Sequence, residues 1–144
     1  VFELQFNATQ LSEVDQVVRA LKKVPSLSVV LNHQGFGSSA LSHNMKEAWL
    51  YGLTALSELP SVKVKCSGLE MLDRHFTPLT LKQTLEEVVS RFGQSRVMMA
   101  SNFPLVTLSM SYEAYWLMVV EAIAQAGLDR DNLVDLNARE TYRF

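Results

Sequence analysis

Three short polar triplets each follow an apolar run: Asn32-His33-Gln34, Cys66-Ser67-Gly68 and Ser101-Asn102-Phe103. His33 stands directly after an apolar strand-like segment and before Gly35. An imidazole placed there can serve as metal ligand, general base or hydrogen-bond donor. It can equally be a loop histidine bonded to local backbone. Asn102 precedes Phe103-Pro104. Its amide cannot deprotonate water near neutral pH, so its chemistry is orientation by hydrogen bonds, or an Asx turn that shapes the chain before the proline. Ser67 with Gly68 either lets backbone approach a ligand or makes a tight turn. His43 and His75 lie in polar loop contexts and rank below His33. Cys66 has no partner histidine nearby in the sequence and reads as a small buried apolar residue.

These triplets need a scaffold, and the hydrophobic pattern supplies one. Phe2–Phe6 reads as a short strand, followed by a helix capped by Thr9 with Leu11, Val14, Val17, Val18 and Leu21 at helical spacing. Ser28–Leu31 is an apolar run suited to a strand buried on both faces. Gln34–Ser42, with two glycines and three serines, is expected to be flexible, and Met45 to Leu56 form a second helix closed by Pro60. Val62–Cys66 is the third strand. Thr80 with Gln83 reads as a capping box for a helix carrying Leu81, Leu85, Val88, Val89 and Phe92, with Gly93 as its left-handed terminator. Val97–Ala100 is the fourth strand, followed by a loop over Ser101–Met110. Tyr112–Gln125 is a helix with Trp116, Val119, Val120 and Ile123 inward, and Tyr112, Tyr115, Trp116 and Trp49 read as core. Asp129 caps a short helix through Leu136, leaving Asn137–Phe144 as a tail.

Strand onsets near 2, 28, 62 and 96, each followed by a helix, predict right-handed crossovers and a parallel α/β sheet in a single domain, residues 1–144. Either an open doubly wound sheet or half of a (β/α)8 barrel satisfies this pattern. No glycine-rich phosphate turn follows any strand, which weakens a nucleotide-binding sheet. In the half-barrel, four strands leave two raw edges, so a missing N-terminal half or another chain must complete the closure, and the isolated segment is expected to self-associate.

Composition bounds the rest. The chain has 144 residues, 48% apolar and 19% charged, with net charge −2, which gives no basic stripe for nucleic acid. Its apolar runs are too short to cross a bilayer. One cysteine excludes an intrachain disulfide and suits a reducing cytoplasm. The chain begins at Val1 without a methionine and is expected to start inside a longer gene product.

Five segments resemble, in order and spacing, the second half of an amidohydrolase-related barrel: Phe2-Glu3-Leu4-Gln5, Leu31-Asn32-His33-Gln34-Gly35, Val64-Lys65-Cys66-Ser67-Gly68-Leu69, Met99-Ala100-Ser101-Asn102-Phe103-Pro104 and Asn137-Ala138-Arg139-Glu140-Thr141-Tyr142-Arg143. The similarity is greatest to the branch containing lactonases of sugar acids and of pyrone dicarboxylate. It implies the C-terminal half of a TIM barrel, four parallel βα units plus a short C-terminal helix. It also implies a hydrolase that opens a lactone or other cyclic ester of a small acid with activated water. His33 matches the histidine after the fifth barrel strand, a metal ligand in metal-using relatives and a substrate-carbonyl partner otherwise. Asn102 occupies the place after the eighth strand where many members keep a water-activating aspartate. Relatives with Ser-Asn-Phe-Pro often continue Val-Asp, whereas this chain has Leu105 and Val106. By the same resemblance His33 and Asn102 are the catalytic candidates, and Ser67, Gln5 and Ser101 the substrate-binding ones. A divalent metal such as zinc would take His33 and further ligands outside this segment, since the family's His-x-His pair would precede Val1. The competing expectations are a non-catalytic small-acid-binding or scaffold barrel lacking the catalytic aspartate, and a free-standing four-strand binding module.

Overall fold

The computed structural model describes residues 1–144. Four strands, β1 (Phe2–Leu4), β2 (Val29–Leu31), β3 (Val62–Cys66) and β4 (Val97–Met99), form one sheet in the order β1-β2-β3-β4. All neighbours pair in parallel, with Leu4 opposite Leu31, Leu31 opposite Val64, and Val64 opposite Val97. The helices α1 (Leu11–Leu21), α2 (His43–Ser57), α3 (Pro78–Phe92) and α4 (Tyr112–Gln125) alternate with them. A sequential strand order with crossovers of one hand sends every helix to the same face of the sheet. A doubly wound sheet reverses its order to bury both faces, so this chain takes the half-barrel alternative.

The helix-facing row of Leu31, Val62, Val64, Cys66, Val97 and Met99 joins Leu53, Leu56, Leu81, Leu85, Val119 and Ile123 in one apolar core. Each fully buried aliphatic side chain of this kind contributes about 1.5–3 kcal/mol relative to exposure. Residues of opposite parity, Glu3, Lys63 and Lys65, point to the other face, the inside of the barrel arc. No helix is long and apolar enough to cross a membrane.

Several local expectations are corrected. β1 stops at Leu4, two residues short of Phe6. Thr9 does not cap α1; Asn7 Oδ1 instead accepts from both the Thr9 N–H (3.0 Å) and hydroxyl (2.8 Å). Helix α3 starts earlier than the Thr80–Gln83 pattern suggested. Thr77 is its cap, accepting from the Thr80 N–H at 3.1 Å, because Pro78 fits the first helical position where no N–H is needed. Gly93 ends that helix at φ 73°, ψ 153°, positive in φ but outside the left-handed helical well. In α4 the inward positions are Tyr115, Val119, Ala122 and Ile123, while Val120 and Tyr112 are exposed.

The expected tail is helical. A π-helical turn over Asn132–Leu136 runs into α5 (Asn137–Tyr142). Buried Asn137 donates through Nδ2 to the carbonyls of Gln94 (2.7 Å) and Val97 (2.8 Å) at the start of β4. Further on, the Tyr142 hydroxyl donates to Glu3 Oε1, and Glu140 pairs with Lys63 at 3.7 Å. The C-terminal helix therefore lies against the inner face of the sheet, tying residue 142 back to β1.

Candidate functional site

The segment after β2 has an unusual backbone. His33, Gln34 and Phe36 take positive φ values of 53°, 41° and 55°, with Gly35 at 68° between them. A side-chain-bearing residue in this region costs roughly 1–2 kcal/mol, so neighbouring contacts must hold the turn. The fully buried Gln34 does so with both ends of its side chain: Nε2 donates to the Gly37 carbonyl (3.0 Å), and Oε1 accepts from the Ser67 N–H (2.9 Å). The indole of Trp49 donates to the Gln34 carbonyl at 2.8 Å, and Ser39 bonds Thr84 and the Thr80 carbonyl on α3. The stretch expected to be flexible is thus bonded to β3, α2 and α3.

That turn presents His33 to the end of β3. Its Nδ1 lies 3.0 Å from the Ser67 hydroxyl, and Ser67 is itself buried. Gly68, at φ 73°, clears the ring: a Cβ there would sit 2.6 Å from His33 Nδ1. Burial lowers the His33 pKa from its ordinary 6.5, and the positive charge of Lys65 acts in the same direction; the carboxylates of Glu70 and Glu3 oppose it. The shift favours the neutral imidazole, whose Nδ1 is engaged by Ser67 while Nε2 has no hydrogen-bond partner in the chain.

At the ends of β3 and β4 a second pair forms. Asn102, at φ 55°, donates through Nδ2 to Glu70 Oε1 at 2.5 Å. Glu70 is only 5% exposed, and its Oε2 is buried without any hydrogen-bond partner. Asn32 Oδ1 is likewise buried and unpartnered. On the inner face below, Lys65 Nζ lies 3.0 Å from both oxygens of Glu3 and over the Tyr142 ring.

His33, Ser67 and Asn102 thus stand at three adjacent strand ends on the carboxyl edge of the sheet. Gln5 follows β1, exposed and without a side-chain hydrogen bond. Ser101 accepts from the Phe103 N–H at 3.2 Å and lines an open concavity with Phe103 and Tyr112. His43 is exposed at the start of α2, and His75 is exposed beside Asp73. Burial pushes the Cys66 thiol up to about 12, so it is a packing group. Sequence reasoning missed Glu70 and Gln34. The available signal for Glu70 was a lone acid in the apolar run Leu69-Glu70-Met71-Leu72 just after a strand. No three His, Cys, Asp or Glu side chains gather where they could hold a metal ion. What residues 1–144 bring together at these strand ends is the His33 imidazole, the buried, unpartnered Glu70 Oε2 and the Asn102 amide.

A family model described as amidohydrolase matches residues 2–144. An uncharacterised protein of Sinorhizobium fredii, y4mH, is 34% identical over 115 residues, covering 80% of this chain and 37% of its own length. Among solved structures, an amidohydrolase from Burkholderia multivorans with bound zinc superimposes on 99% of this chain and 52% of its own, at TM-score 0.85 and 24% identity. A putative 2-pyrone-4,6-dicarboxylic acid hydrolase from Pseudomonas putida covers 98% of this chain and 50% of its own, at TM-score 0.65 and 22% identity. The chain thus spans about half the length of these barrels, and less of the curated relative.

Proposed function

Because this chain belongs to the amidohydrolase family, we propose that the protein containing it is a hydrolase that opens a lactone or other cyclic ester of a small acid. The observation that carries this reading is the neutral His33, held by Ser67 with Nε2 free at the strand-end rim. An N–H aimed at a carbonyl oxygen stabilises the negative charge that develops there when water attacks, and such donors are worth about 10²–10³ in rate. Ser67, being buried, positions His33; Asn102 orients the reacting groups by hydrogen bonding. The lactone class is supported by the Pseudomonas putida protein, whose substrate name denotes a pyrone, a cyclic ester.

A divalent metal such as zinc, present in the Burkholderia multivorans structure, would polarise a carbonyl or a water when bound. It would use His33 and ligands from outside residues 1–144, since no ligand set is complete within them. A second reading, a barrel that binds a small acid without turning it over, is favoured by the amide at Asn102 where a carboxylate would activate water.

The test is a screen of the full-length protein against 1,4- and 1,5-lactones of sugar acids, followed by proton release, with metal content measured on the same sample. Turnover of one lactone class supports the hydrolase. Saturable binding of the ring-opened acids with no turnover of any lactone supports the binding barrel.

A further inference from the structure

We propose that Glu70 is the proton-accepting carboxylate of this site, taking a proton from the water that attacks the lactone carbonyl. The inference rests on the hydrolase reading above and assigns the group that reading leaves open. Glu70 sits in a single 3-10 turn, Leu69–Met71, after β3, within hydrogen-bonding distance of Asn102 on the loop after β4. Its two oxygens are treated differently. Oε1 is held by the Asn102 amide at 2.5 Å, whereas Oε2 is buried and accepts from nothing. No lysine, arginine or histidine forms a salt bridge with it. A buried carboxylate oxygen without a donor is costly to keep, so a purely structural carboxylate would be poorly used here. A ligand or water that donates to Oε2 accounts for that cost. Asn102 then has a defined task. It cannot take a proton, but by clamping Oε1 it fixes the direction of Oε2.

The step balances within the groups present. Oε2 takes one proton of the water as its oxygen bonds to the carbonyl carbon, and the carbonyl electron pair moves onto the oxygen facing His33 Nε2. Collapse of that tetrahedral species breaks the bond to the ring oxygen, which takes the proton back from Glu70. The product is the open hydroxy acid, whose acidic proton leaves to solvent, and Glu70 is again a carboxylate.

The experiment uses the full-length protein and the sugar-acid lactone it turns over fastest. Glu70→Gln keeps an oxygen to accept from Asn102 but cannot take a proton. It should lower kcat by about 10²-fold or more while leaving KM within about threefold and the melting temperature unchanged. Glu70→Ala should be inactive and regain turnover in proportion to added formate, a small carboxylate that fits the vacated space. A Glu70→Gln enzyme with near-normal kcat overturns the proposal, as does one whose loss is all in KM. An active wild type with an active Glu70→Gln variant rejects Glu70 alone. A wild type inert toward every lactone rejects the hydrolase reading and this inference with it.

Discussion

The Ser67 hydroxyl lies 3.0 Å from His33 Nδ1, joining the ends of β2 and β3 across 34 residues of sequence. The bond fixes the ring from one side and leaves the other nitrogen without a hydrogen-bond partner in the chain. Gln34 reinforces it from behind by accepting the Ser67 N–H. Two consecutive residues of one turn thus hold one serine, by its side chain and by its backbone.

His33→Asn should abolish most hydrolysis, about 10²–10³ in kcat, because it removes the donor at the carbonyl. Asparagine is preferable to alanine as the test, since φ 53° is a conformation it tolerates. The melting temperature should stay close to that of wild type. Steady-state kinetics on the full-length protein, with thermal melts alongside, check both.

The lowered His33 pKa predicts a stability change with pH. Between its folded value and the ordinary 6.5 of the unfolded chain, the unfolded state binds more protons. Stability is therefore greatest above pH 6.5 as far as this group is concerned, and falls as pH drops through 6.5 toward the folded value. Urea melts from pH 7.5 down to 5.5 should show that decline, and His33→Asn should flatten it.

Asn102→Asp places a second carboxyl group against Glu70, where the amide now donates at 2.5 Å. From sequence alone this change would restore a carboxylate where relatives keep their base. The structure predicts the opposite sign: losing the donor leaves a buried carboxylate without its partner, at a cost of about 1–3 kcal/mol. The variant should be less stable and less active than the wild type. Thermal melts and steady-state rates on one preparation distinguish the two signs.

Gly68→Ala should displace the His33 ring, because the new Cβ would lie 2.6 Å from Nδ1 and 2.5 Å from Met71 Cε. The residue's φ of 73° adds about 1–2 kcal/mol of backbone strain. We expect lower stability together with a fall in kcat, read by melts and kinetics on one preparation.

The strand order leaves β1 and β4 as unpaired edges, and half-exposed Phe2 stands at one of them. Residues 1–144 expressed alone should associate or aggregate, since open parallel edges template further pairing. Sedimentation velocity would show a concentration-dependent shift to larger species. A stable monomer would contradict the expectation.

The amino-acid order alone determined the four strands, the helix that follows each of them and the placement of His33, Ser67 and Asn102 at strand ends. Those features rest on local periodicity: two residues per repeat in Val62–Cys66, and three to four in Leu81–Phe92. A helix start was legible only approximately: the Thr80–Gln83 pattern was read as the cap of α3, whereas Thr77 caps it with Pro78 at the first helical position. What the tertiary structure decided is of longer range. Asn137 became helical rather than tail because it meets the Val97 carbonyl, 40 residues away. Glu70 became a site group because folding buries it against Asn102, 32 residues on. Periodicity reports which face a side chain takes. It does not report which polar groups from separate loops will be desolvated together, and the chemistry of this rim depends on that.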